Sequence, residues 1–154
     1  MDLTPIISRL AGAIPKAKQV QFAIGVDPAL QDAYKQQKGD VWIYIMPLSE
    51  RFASVKQASG ETDPLDGQEK TRQLGSVQFS ALIISKNARD RRGKASTDEL
   101  NAVLKPLRAR LMGWTPPDCH TPIELQGGSN KGPTQDGYVN VWQEDFSTAY
   151  DEFN

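Results

Sequence analysis

The 154-residue chain has one cysteine, one histidine and almost no net charge, and each of these scarcities excludes a class of protein. Cys119 alone cannot form an internal disulfide or a cysteine-rich zinc site. The 18 Lys and Arg residues against 19 Asp and Glu argue against a dedicated nucleic-acid binder, which usually carries a basic excess. The longest apolar run, at residues 41–46, is far too short to span a membrane, and no secretory signal is visible. We therefore expect a soluble protein that is made inside the cell and holds no cofactor or metal.

Hydrophobic periodicity predicts a single α+β domain over residues 1–154. Helical spacing predicts helices at residues 3–14, 27–36 and 96–111. Alternating or β-branched runs predict strands at residues 20–24, 41–46, 74–85, 123–126 and 138–150, and the second of these is apolar on both faces, as in a central strand. The order α-β-α-β-β-α-β-β predicts a mixed, mostly antiparallel sheet of four to five strands packed by two to three helices.

Two segments depart from this regular pattern. Residues 47–72 are rich in Ser, Gln, Gly, Asp and Glu, which predicts a long polar loop that is either mobile or ordered by a partner. Pro106 lies inside the third helix and predicts a bend, because proline lacks the amide proton that an interior helical residue donates. Ser96 and Glu99 have the spacing of a capping box at the start of the same helix.

Two motifs suggest chemistry that their surroundings do not support. Cys119 and His120 are adjacent in a proline-rich segment, whereas a thiol nucleophile needs an imidazole that faces it across a cleft. The glycine-rich segment 127–132 lacks the order of a P-loop, because Lys131 precedes the second glycine and Pro133 follows it. We therefore predict an ordinary loop at Cys119, a flexible hairpin connection at residues 127–132, and no enzymatic activity.

Charge is distributed unevenly along the chain. A basic segment before the third helix has a local charge of +4, from Asp90 and the cations Lys86, Arg89, Arg91, Arg92 and Lys94. The last 23 residues contain no Lys or Arg and five acidic residues, which include Glu144 and Asp145. These segments are either two solvated patches, or surfaces that meet across subunits or face a negatively charged partner. The predicted interaction residues are Arg89, Arg91, Arg92, Lys94, Glu144 and Asp145, with the two acids at a strand edge on a solvated or partner-facing surface.

The order of several motifs resembles that of a known family. The strand at 74–85 is followed by the Arg-Gly segment 89–93 and by an amphipathic helix that leads into Gly113-Trp114-Thr115-Pro116. A Gly-Gly pair at 127–128 and a closing strand with Trp142 and Phe146 come next. Over nearly its whole length the chain resembles the tail terminator, or tail-completion, proteins of tailed bacteriophages, including the minor tail proteins of Mu-like phages.

This resemblance implies a non-catalytic virion protein that forms a homo-hexameric ring on the head-proximal end of the tail tube. Such a ring stops tube polymerisation and offers a surface for head joining. The implied partners are further copies of the chain, the tube subunit, the sheath as a further candidate, and the head-completion or neck proteins. DNA would pass through the lumen without specific binding, and assembly would take place in the host cytoplasm without a membrane.

Three alternatives stay open. The first is another head-tail neck protein, such as a stopper or adaptor, which would also need ring contacts. The second is a small α+β enzyme with a site near Cys119 and His120. The third is a stand-alone nucleic-acid binder that uses Arg89, Arg91 and Arg92, although the net charge of −1 disfavours it.

Overall fold

The computed structural model describes residues 1–17, 19–35, 41–54, 72–86, 94–133 and 139–153. Within them, the helices and strands follow the predicted order, and the α+β class is confirmed. The helices are α1 (Thr4–Leu10), α2 (Val26–Lys35) and α3 (Lys94–Leu111), and the strands are β1 (Val20–Phe22), β2 (Val41–Ser54), β3 (Arg72–Ser85), β4 (Glu124–Pro133) and β5 (Asn140–Phe153).

The strands form one five-stranded sheet in the order β1-β2-β3-β5-β4. β1 pairs with β2 in parallel, while β2 with β3, β3 with β5, and β4 with β5 are antiparallel. The sheet is therefore mixed and mostly antiparallel, as predicted. β1 and β4 lie at its two edges, and β5 lies between β3 and β4.

Each face of the sheet is covered by helices, which divides the core into two layers. On one face Ile43 and Ile45 of β2 pack in a cluster with Phe79 and with residues of α1 and α3. On the other face Trp42 and Tyr44 pack in a second cluster that includes α2. Residues 41–46 are consequently all buried, which confirms the prediction of a central strand covered on both sides.

Several predicted boundaries are wrong because local patterns do not report strand pairing. α1 ends at Leu10 rather than at residue 14, although Ile14 still packs in the core, and Gly12 there has a φ of +71°. β2 continues through residues 47–54 because β3 pairs with it along that length, so the predicted polar loop begins later. Residues 55–71 of that loop lie outside the described residues.

Two further predictions of local structure are corrected. Residues 127–132 are part of β4, with two bulges in its pairing to β5, and are not a flexible hairpin connection. α3 begins at Lys94, so Ser96 is inside the helix and not its cap. Pro106 lies inside α3, as the sequence predicts. In the described part of the chain, no helix is long and apolar enough to cross a membrane.

A partly buried hydrogen bond joins α2 to the sheet. Tyr44 Oη donates to Asp32 Oδ2 at 2.6 Å, and the Tyr44 side chain is almost completely buried. Burial raises the pKa of Tyr44 above its ordinary value, and the hydrogen bond and charge of Asp32 act in the same direction. The phenol therefore remains a neutral donor under ordinary conditions.

We expect Tyr44→Phe to lower the free energy of unfolding by about 1–2 kcal/mol, because it leaves a carboxylate without its buried donor. Urea denaturation measures this loss. Asp32→Asn keeps an acceptor oxygen at the same place and should cost less. Equal losses in the two variants would contradict the assigned role of the hydrogen bond.

The raised pKa also predicts how the contribution of Tyr44 depends on pH. Because the pKa is higher in the folded chain than in the unfolded chain, the contribution is fully present below pH about 10 and is lost as pH rises above it. The difference in unfolding free energy between wild type and Tyr44→Phe should therefore be smaller at about pH 11 than at about pH 8, with the loss beginning near pH 10. A difference that grows over this interval would contradict the assignment.

Candidate interaction surfaces

Glu144 is a buried anchor and not part of an exposed acidic surface. Its side chain is fully buried in β5, opposite Ala81 of β3 and Gly128 of β4. Oε1 accepts hydrogen bonds from Arg108 Nε at 3.1 Å and Nη2 at 2.7 Å, and Oε2 accepts one from Trp142 Nε1 at 2.7 Å. The predicted position at a solvated strand edge is wrong for Glu144, because β4 pairs with β5 there and α3 brings Arg108 over the carboxylate.

The neighbours of Glu144 are held by close packing. The Trp142 indole lies so near Gly128 that an added Cβ would be 2.6 Å from Trp142 Cζ2. Arg108 projects from the half of α3 that buries Leu107 and Leu111, and 39% of its side chain remains exposed. A fully buried carboxylate is costly unless it is paired and hydrogen-bonded, and here three donor groups meet that requirement.

Asp145 points to the opposite face of β5, as strand alternation requires. It is half-buried and accepts hydrogen bonds from Ser80 Oγ at 2.5 Å and Gln143 Nε2 at 2.9 Å. The two neighbouring acids therefore have different surroundings, and only Asp145 retains some exposure. A contact between Asp145 and another protein stays a prediction.

The predicted basic surface falls mainly outside the described residues. Arg89, Arg91 and Arg92 lie there, and Lys94 is described only as the first residue of α3, without its side chain. Their interaction role stays a prediction.

Other cations lie along the carboxyl-terminal half of α3. Lys105 and Arg110 are exposed. Arg9 of α1 is held beside Arg110, because its Nε donates to Arg110 O at 2.7 Å and its guanidinium lies 4.6 Å from the centre of the Trp114 ring. This part of the surface is therefore basic.

A groove of about 440 Å³ lies between α3 and the sheet. Its apolar lining includes Val41, Ile83 and Leu104, and Arg108 and Trp142 form part of its wall. Glu99, on the same lining, accepts a hydrogen bond from Ser85 Oγ at 3.4 Å. The groove thus has a partly apolar lining, and its wall includes Arg108 and Trp142, the two side chains that donate hydrogen bonds to Glu144.

The surroundings of Cys119 do not activate a nucleophile. Its Sγ donates to Met1 Sδ at 3.8 Å, and burial is the main cause that raises the pKa of the thiol, whereas a catalytic thiol needs a lowered one. The backbone amide of His120 donates to Ala149 O at 2.7 Å and ties this segment to β5. In the part of the chain that the structure describes, no group of three or more His, Cys, Asp or Glu residues could hold a metal.

The sequence did not predict that Glu144 is buried and hydrogen-bonded, or that Phe22 and Ile24 are exposed. A signal for the anchor is present, because Glu144 stands between Trp142 and Phe146 at a spacing of two, which places all three on one face of a strand. For Phe22 and Ile24 the alternation predicts a strand, and both are nevertheless exposed. The alternation at residues 20–24 does not show on its own that this strand lies at an edge of the sheet.

Comparisons with known proteins give one strong match. The family model described as phage tail terminator protein matches residues 1–152. A search of curated proteins finds no match. Among solved structures, a chain of the "Virion of native gene transfer agent (GTA) particle" is 12% identical, with 96% of this chain and 84% of that chain covered and a TM-score of 0.45. A structural likeness of that degree supports no conclusion, so the family match is the finding that bears on function.

We expect Arg108→Ala to lower the free energy of unfolding by about 2–3 kcal/mol, because it leaves the buried Glu144 carboxylate with Trp142 as its remaining side-chain donor. The loss should be smaller than the roughly 3–5 kcal/mol of a fully buried pair, since water reaches the exposed part of Arg108. Urea denaturation of the dilute protein measures it. Arg110→Ala, on the same helix, should cost less than about 0.5 kcal/mol. Similar losses in both variants would contradict the anchor.

We expect Gly128→Ala to destabilise the protein by about 1–3 kcal/mol, because the new methyl group overlaps an indole that Glu144 holds in place. Gly127→Ala is the matched control, since an added Cβ there meets no atom within 4 Å. Thermal unfolding of the two variants should therefore give a clear loss for Gly128→Ala and little change for Gly127→Ala. An equally small loss in both variants would show that the Trp142 indole moves freely.

Proposed function

Because the chain belongs to the phage tail terminator family and is thus a structural protein of the phage tail, we propose that it forms a homo-hexameric ring at the head-proximal end of the tail tube. The ring ends polymerisation of the tube and presents the surface to which head-completion proteins bind. The match of the family model over residues 1–152 carries this proposal. The partners are further copies of the chain, the tube subunit and the neck proteins, with the sheath as a further candidate.

The chemistry of the described residues supports a role in assembly. The one cysteine thiol has a raised pKa, and the groove beside α3 is lined by apolar and hydrogen-bonded groups. A closed ring needs two different and complementary surfaces on each subunit, because its contacts are heterologous. Exposed cations on α3 and the exposed Phe22 of β1 give the described part of the chain two chemically different surfaces.

Passage of DNA through the ring fits the charge of the chain. Affinity for a duplex comes largely from cations that neutralise phosphates, and the chain carries a formal charge of −1. Arg108 is already paired with Glu144 and is therefore a poor phosphate ligand. We propose that Arg89, Arg91, Arg92 and Lys94 face the passing DNA or the next subunit, and that assembly takes place in the host cytoplasm.

The proposal predicts the shape of tails that lack this chain. Electron microscopy of particles from a parent phage with the gene deleted should show overlong or ragged tubes that are not attached to heads, because nothing stops the addition of tube subunits. Supplying the intact chain in trans is the control and should restore tail length.

Two other outcomes contradict the proposal in different ways. Tails of normal length that fail to join heads would indicate a stopper or another neck protein. Normal, infectious particles would show that the chain has no essential role in the tail.

A further inference from the structure

We draw no further inference here: the strongest candidate, the groove between α3 and the sheet beside Arg108 and Trp142, carries none, because nothing in the described residues shows what covers it.

Discussion

Residues 41–46 of the central strand β2 are apolar on both faces, and the arrangement of the helices follows from the need to keep both faces from water. In β2, Ile43 and Tyr44 are neighbours that point to opposite layers of the core. One layer needs α1 and α3, which bury long aliphatic side chains, while α2 covers the other by presenting the small residues Ala29 and Ala33. The Tyr44–Asp32 hydrogen bond is directional and helps to orient α2 on the sheet, whereas apolar packing alone is non-directional. Within the described residues, β1 and β4 remain at the two edges of the sheet.

One buried charge interrupts this apolar design and positions the carboxyl-terminal half of α3. Glu144 cannot be hydrated inside the sheet, so its stability depends on Arg108 and Trp142. The contact between Arg108 and Glu144 joins α3 to β5. This ion pair thus acts together with the buried leucines of α3 to hold the helix on the sheet.

The candidate interaction residues were predictable only in part. The distribution of charged residues in the sequence correctly predicts that the carboxyl-terminal strand is acidic. It gives no reason to expect that Glu144 and Asp145 have different surroundings. Their separation into a buried anchor and a half-exposed residue depends on which strand pairs outside β5 and on where α3 crosses the sheet. The family resemblance, in contrast, is visible in the sequence because it depends on the order of elements and short motifs, and the match over residues 1–152 confirms it.

The sequence by itself determined the number, type and order of the elements and the family, because hydrophobic periodicity and turn residues act over a few neighbouring positions. It also determined that residues 41–46 are buried on both faces, since that strand is apolar at every position. Only the tertiary structure decided that β2 extends to Ser54, that Gly127 and Gly128 belong to a strand, and that β1 is an edge. The physical reason is that strand pairing and the burial of a charge depend on contacts between residues far apart in the chain, which no local pattern contains.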